Sequence, residues 1–597
     1  MKQPIKPNRN GILLLSLAAA FLVLLILYFA VLAPMIAAAT DNTPTTPTVS
    51  TGEGEGTGVT VGTLLMFPRV ERANMLSIEV ANSYSAAIGD YEHRYTFRKD
   101  VDDQNGDGDA NDFLIDGFAA NTYNEELFSD LVVDAGYSAC LGKLDTLDFS
   151  GGAEAVYANY GLATADHPSY YVLTTTEGVV YRVYIGSRTP DGNYYARLDG
   201  REAIYVLYAA LDDSVLAPLA HFVEPSLTLP GESSYAYAYT RNFAIFRDSS
   251  LKDLILGGTT PDGVASLDPF VMFTYMKADE RDVYHTNSIY AMLAPSTVYT
   301  ANDGRVDAAL SRLPGLTGTE TLKVGISDAD FAEGGLLSNL AYTIYYEMPY
   351  NITHDENEDP IAGRWIVNIL FITERGADGS YHVGSVSYEK GKEDKVLYNL
   401  IAKVAYEDLF FVEYSLFDWI EGRMFDTAID NVSKMEISSS KGDFLFDITG
   451  DGTTNTVVTE LHSGYRWFYH PRNTDFTLND QGYCEDIQQF RQLYLLILNL
   501  QYAGAIGEDT GMSEEQIADF MRDDAACIMT FVLTLEDGRE MTYRFFPYSE
   551  RHAMVSLSGD GIESVTTFYT SSAAVRRIAS AAYDLLHGVK IDYEHRY

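Results

Sequence analysis

Two distant segments of this 597-residue chain read as the same β-hairpin, and that limits the fold more than any other feature. Tyr171 to Arg182 (YVLTTTEGVVYR) and Phe531 to Arg544 (FVLTLEDGREMTYR) each give an alternating strand, an acidic-Gly turn and a second strand. Val172, Leu173 and Thr174 match Val532, Leu533 and Thr534; Gly178 matches Gly538; Tyr181 and Arg182 match Tyr543 and Arg544. A turn glycine supplies the positive φ that such a reversal needs. Adjacent hairpins specify antiparallel pairing, which excludes a doubly wound parallel sheet.

A middle copy shows through another stretch. Ile185 to Tyr195 (IGSRTPDGNYY) parallels Ile372 to His382 (ITERGADGSYH), so Asp191, Gly192 and Tyr194 correspond to Asp378, Gly379 and Tyr381. Leu76 to Ala81 (LSIEVA) pairs with Lys434 to Ser439 (KMEISS) as an opening strand. The matches keep a common order along the chain, as internal repeats do. Helices fill the intervals: Asn121 to Leu141 spaces Leu127, Leu131 and Ala135 by four, and Tyr483 to Leu500 sets Ile487, Phe490, Tyr494 and Ile497 on one face. Ser513 to Gln516 is a capping box, and Ser572 to Leu586 is an amphipathic helix closed by Gly588. The expected fold is α+β, three related units of antiparallel hairpins packed with helices, over residues 64–232, 233–425 and 426–597.

Ahead of these units, Ile12 to Leu32 carry no charge. A helix of that length covers roughly 32 Å, enough for a bilayer core. Lys2, Lys6 and Arg9 precede the run and no Lys or Arg follows until Arg69, which predicts a cytoplasmic N-terminus and an extracytoplasmic bulk. Residues 1–10 read as a cytoplasmic tail, 11–33 as a single-pass transmembrane helix and signal-anchor, and 34–63, rich in Thr, Pro and Gly, as a flexible linker. The competing reading is a cleaved signal peptide, with Ala37, Ala38 and Ala39 as the small residues; a secretory core is usually shorter than this run.

The balance of 41 basic against 85 acidic residues gives a net charge of −44, which repels nucleic acid and anionic lipid heads. Proteins, neutral glycans and cations remain as partners. Cys140, Cys484 and Cys527 form no C-x-x-C pair, and three cysteines permit at most one bridge, so no disulfide framework holds this chain.

Asn159 to Leu207, with Tyr160-Gly161-Leu162, Val172-Leu173-Thr174, Ile185-Gly186, Thr189-Pro190-Asp191-Gly192, Tyr194-Tyr195 and Tyr205, resembles the signature of the bacterial domain-of-unknown-function 4340 family. The resemblance runs more loosely over Met75 to Leu141 and the later units, which lack the Tyr-Gly-Leu and Thr-Pro-Asp-Gly forms. It implies anchoring by one N-terminal helix. Some members resemble accessory components encoded beside gliding-type ABC transporters, and the family supplies no catalytic residues.

The most chemical segment is Asp100 to Asp112. Asp103, Asn105, Asp107, Asp109 and Asp112 set oxygen ligands at alternating positions around Gly106 and Gly108, as Ca²⁺ requires. The spacing departs from an EF-hand, because Leu114 stands where a bidentate Glu belongs. The plain alternative is a solvated turn, since Asp, Asn and Gly are also turn residues. His354 to Asp359 is a second acidic loop, and Ser249 with Lys252 makes an S-x-x-K without its companion motifs. Among 43 tyrosines, Tyr194, Tyr195, Tyr381, Tyr235, Tyr237 and Tyr239 are candidates for an aromatic surface, against core packing as the simpler account.

These readings converge on a non-catalytic, membrane-anchored protein that binds or scaffolds envelope proteins, among them ABC-type transporter components. The rivals are a cell-wall or glycan binder assisted by calcium, and a hydrolase whose site is assembled from distant residues.

Overall fold

The computed structural model describes residues 64–591 other than 102–111, 117–122, 248–263, 265–266, 278, 282–287, 357, 393–395, 426, 451–454, 461–465, 469–486, 507–512, 522–523, 560–561, 588 and 590. The first sheet holds β1 (Leu64–Leu65), β2 (Met75–Ser85), β3 (Asp90–Lys99), β4 (Phe113–Ile115), β5 (Ala139–Lys143), β6 (Ser169–Thr175), β7 (Val180–Arg188), β8 (Tyr194–Leu198) and β9 (Tyr205–Leu207). The second holds β10 (Arg241–Phe246), β11 (Val271–Tyr275), β12 (Tyr290–Ala294), β13 (Glu320–Val324), β14 (Leu340–His354), β15 (Pro360–Thr373), β16 (Ser380–Glu389) and β17 (Val396–Ala405). The third holds β18 (Val432–Ser439), β19 (Gly442–Gly450), β20 (Asn455–Glu460), β21 (Arg466–Phe468), β22 (Tyr502–Ala505), β23 (Met529–Leu535), β24 (Glu540–Pro547), β25 (His552–Gly559) and β26 (Ile562–Ser571).

The spatial orders are β4-β3-β2-β6-β7-β8-β9-β5-β1, β12-β11-β10-β14-β15-β16-β17-β13 and β21-β20-β19-β18-β23-β24-β25-β26-β22. Counted from each sheet's opening hairpin, one order recurs: third, second, first, fifth, sixth, seventh, eighth, fourth. β1 and β21 are additions at opposite edges.

Helices lie on both faces. α1 (Glu125–Tyr137), α2 (Ala153–Ala158) and α3 (Leu219–Phe222) belong to the first sheet; α4 (Asp303–Leu310), α5 (Asp328–Phe331) and α6 (Leu416–Trp419) to the second; α7 (Ile487–Leu498), α8 (Glu514–Met521) and α9 (Ser572–Leu586) to the third. α1, α4 and α7 precede each fourth strand and bury Phe128, Val306 and Leu493 in one apolar core that continues through all three sheets. The caps are repeated as well. Asn124 accepts from the Glu126 and Leu127 amides to start α1, and Asn302 accepts from the Arg305 amide to start α4. The same two asparagines donate their own amides to the carbonyls of Phe222 (2.7 Å) and Trp419 (2.9 Å), both fully buried.

The chain enters each sheet in one way, alongside the approach to the fourth strand. The amides of Met66, Leu227 and Met424 donate to the carbonyls of Ser138 (3.2 Å), Leu316 (2.8 Å) and Leu500 (3.1 Å).

The α+β expectation is corrected by this architecture: the described residues build mostly antiparallel β-sheet. Intervals read as helical are shared with strand. In Asn121 to Leu141, α1 ends at Tyr137 and β5 begins at Ala139. Apolar spacing of four fits both a helix and the strand that continues from it. No helix among the described residues is long and apolar enough to cross a membrane. The transmembrane reading of residues 11–33 and the linker at 34–63 lie outside the described residues.

Register refines the sequence matches. The two hairpins turn at Gly178 (φ 81°) and Gly538 (φ 87°). Leu173 opposes Ile78 while Leu533 opposes Met435, so Leu76 to Ala81 corresponds to Ser433 to Ser438, one residue from the match made by sequence. Tyr181, opposite Leu173, corresponds to Met541 rather than Tyr543. A two-residue slip preserves the face and a one-residue slip reverses it, so only the first error misassigned sides.

Candidate functional site

Among the calcium ligands read from sequence, Asp103, Asn105, Asp107 and Asp109 lie outside the described residues. Asp112 is described, and its carboxylate accepts from the Tyr123 hydroxyl and the Phe113 amide (2.9 Å). Among the described residues no three His, Cys, Asp or Glu side chains are grouped as metal ligands. The His354 to Asp359 loop is a closed turn: Asp355 Oδ1 accepts from the Asp359 amide (3.0 Å), and the Asp355 amide donates to the Asp359 carbonyl (3.0 Å). Ser249, Lys252 and Cys484 are outside the described residues, while Cys140 and Cys527 are free thiols.

The tyrosines read as an aromatic surface separate. Tyr194 and Tyr381 are buried and act as latches. The Tyr194 hydroxyl donates to Asp212, which pairs with Arg188; the Tyr381 hydroxyl donates to Glu413 (2.8 Å), which pairs with Arg375 (3.3 Å). Burial and the adjacent carboxylate push the Tyr194 phenol up to about 12. Tyr235 is exposed, and Ala236 to Tyr239 form a single 3-10 turn instead of an alternating strand.

A different aromatic surface covers the outer face of the first sheet, the face turned away from α1. Pairing sets Arg94, Ala81, Tyr170, Tyr184 and Arg197 in one row across β3, β2, β6, β7 and β8. The Tyr170 hydroxyl accepts from Arg94 (3.1 Å) and donates to Glu79 (3.1 Å). Arg182 lies 5.1 Å over the Tyr170 ring, and Arg197 is held between the rings of Tyr184 (3.8 Å) and Tyr157 (4.7 Å). Tyr91 meets Tyr170 edge to face at 5.4 Å. Residues of the family signature support this row. The loop through Tyr160, Gly161 and Leu162 crosses β7 so closely that a Cβ on Gly161 would strike Ser187 and one on Gly186 the Tyr160 carbonyl. Its Leu162 carbonyl accepts from Arg197 (3.1 Å). The row was legible in part: the turn at Gly178 fixes Val172 opposite Arg182, which puts Tyr170, Arg182 and Tyr184 on one side.

A cavity of about 370 Å³ opens between the second and third sheets. Its walls are β12 and the segment after it, the linker at Met424 and Phe425, and the β23–β24 hairpin. Met276, Met292, Met424 and Met541 line it, with Arg539 and Glu540 beside them. Tyr290 belongs to the wall, is 1% exposed, and its phenol is raised far above the ordinary value by burial, with Asp307 and Asp303 adding to it. Asp303 accepts from the Ser288 hydroxyl (2.5 Å) and the Ile289 amide (2.9 Å). Sequence reasoning missed this cleft because its walls come from segments far apart in the chain.

No curated protein and no solved structure matches this chain. A family model does match, over residues 138–264, the stretch that holds β5 to β9, the glycine crossing and most of the tyrosine–arginine row. By that match this part of the chain is similar to the family described as Domain of unknown function (DUF4340).

Proposed function

We propose that this protein is a non-catalytic binding component of the bacterial cell envelope, working outside the cytoplasmic membrane and holding other envelope proteins. The observation that supports it is the methionine-lined cleft. Unbranched thioether side chains repack around varied apolar shapes, and they are frequent at surfaces that accept protein segments. A cavity of this size buries a ligand or a few partner side chains. The location rests on the uncharged run Ile12 to Leu32 and its basic flank. The family resemblance makes an ABC-type transporter complex the partner class to examine first.

Affinity capture of the full-length chain from membranes tests this reading. Met541→Lys should lower recovery of the co-purifying proteins about tenfold while leaving the melting temperature within about 2 °C, as expected for a charge placed in an apolar contact. Equal recovery with the variant would remove the cleft from the proposal. A hydrolytic activity lost in Glu540→Gln would replace it with an enzyme.

A further inference from the structure

The outer face of the first sheet carries a ligand-binding surface separate from the cleft. We propose that the exposed part of the tyrosine–arginine row, Arg94 and Tyr184 with Tyr91 and Arg182 beside them, is a track for an anionic polysaccharide whose sugar rings stack on tyrosine and whose carboxylates meet guanidinium groups.

Three features of the row point to that occupant. The first is its shape. From Arg94 on β3 to Tyr184 on β7 the exposed part crosses three strand spacings of about 4.8 Å, roughly 14 Å, the span of about three sugar units. Between its ends lie Ala81, fully buried and without side chain beyond Cβ, and the buried Tyr170, with Tyr91 and Tyr184 packed against them and Arg94 bonded to the Tyr170 hydroxyl. The second is its chemistry. Tyr91 and Tyr184 are half-buried, and Arg94 and Arg182 are exposed, in a chain where acidic residues outnumber basic ones two to one. The Arg94 guanidinium shares Tyr170 and Asp90 (3.4 Å) as partners, and its side chain stays 49% exposed. A carboxylate added there meets a planar donor fork held in position by the phenol beneath it. The third is the absence of backbone groups on a sheet face. Extended peptides dock by adding to sheet edges, where unpaired amides and carbonyls are offered. A face offers only side chains, and rings with guanidinium groups recognise sugar acids without backbone pairing.

The other two sheets show that this row is not a by-product of the fold. On the second sheet the outer row Met272, Ala244, Tyr345, Ile369 and Val386 is part of a second apolar cluster covered by Phe331 and Leu337. On the third, Asp443, Ser438, Thr530, Arg544 and Ser556 hold the corresponding places with no aromatic ring. Among these three rows, that of the first sheet alone combines rings with guanidinium groups.

Calorimetric titration of the full-length chain with hexagalacturonate tests the proposal, with maltohexaose and hexaglutamate as the comparison arms. Hexagalacturonate should bind at least about tenfold more tightly than either. Arg182→Gln should reduce that affinity about tenfold, Tyr184→Ala likewise, and Tyr184→Phe should keep it, because the ring and not the hydroxyl carries the stacking. Unchanged melting temperatures would show that these variants fold. Equal binding of hexaglutamate would overturn the sugar assignment in favour of an acidic peptide, equal binding of maltohexaose would overturn the carboxylate assignment, and no binding of hexagalacturonate would overturn the site.

Discussion

The first and second sheets share a strand order and differ in what lies on their outer faces. On the first, Ala81 and Tyr170 are flanked by Tyr184, Arg94 and Arg197; Arg94 keeps its head in water, while Arg197 is buried between the rings of Tyr184 and Tyr157. On the second, Ala244 and Tyr345 are flanked by Ile369 and Val386, and the loop through α5 brings Phe331 and Leu337 down on them. An alanine–tyrosine pair lies on the partly solvated face of one sheet, and another is part of a core in the other. Strand order fixes the backbone, and the residues on the flanking strands decide whether a face is closed.

The largest expected effect follows from that contrast. Phe371, fully buried on the outer face of the second sheet and edge-on to Phe331 at 5.2 Å, should cost about 3 to 5 kcal/mol when replaced by alanine, because a large ring leaves a cavity that packed neighbours cannot refill. Tyr184→Ala on the first sheet should cost under about 1 kcal/mol, since solvent already reaches that ring. Urea unfolding of both variants measures the difference. Similar losses would mean that the first face is covered as closely as the second.

The next prediction concerns what the two sheets have in common. Tyr194 with Asp212 and Arg188, and Tyr381 with Glu413 and Arg375, fasten equivalent turns to the segment that follows the eighth strand. Tyr194→Phe and Tyr381→Phe should each cost about 1 kcal/mol, the net worth of a phenol donating to a partly solvated carboxylate. Equal losses in the two variants support one shared latch. A loss confined to Tyr381→Phe would make the first copy a surface contact only.

Much of this arrangement was readable from the chain, and the failures have physical causes. Asp-Gly and acidic-Gly turns mark hairpins because glycine alone enters positive φ without cost, so the fifth to seventh strands of the first sheet and the fifth and sixth of the third could be placed. Arg188 and Arg375 sat at matching positions inside the aligned segments, yet their carboxylate partners follow the eighth strand, beyond any local pattern. The short strand β5 was absorbed into a helical reading, and β4 and β9 drew no strand reading, since three to five residues carry too little periodicity to mark a strand. Tyr235 to Tyr239 alternate as a strand would and form a turn instead, because the linker there is anchored by the Tyr350 hydroxyl donating to the carbonyls of Leu229 and Pro230. The cleft was unreadable because its methionines belong to separate elements that meet only after the sheets have packed.

The smallest expected effect tests how closely the inner face of the first sheet is sealed. Asp134 on α1 accepts from the Ser214 hydroxyl, and burial holds its carboxyl above the ordinary value, with the nearby Asp130 charge adding to the shift. A folded-state pKa above the unfolded one means that the folded protein binds the proton more readily, so the ionised carboxylate is a liability at neutral pH. Stability from this group should rise as pH falls through the raised value and level off below the unfolded one, near 4 on the ordinary scale. Asp134→Asn keeps an oxygen for Ser214 and removes the charge. It should raise the melting temperature by about 1 to 3 °C at pH 7, with the gain gone by about pH 4. A gain that persists at pH 4 would trace the effect to packing, and no gain at pH 7 would show that water reaches the carboxylate and that the inner face is open at this end of α1.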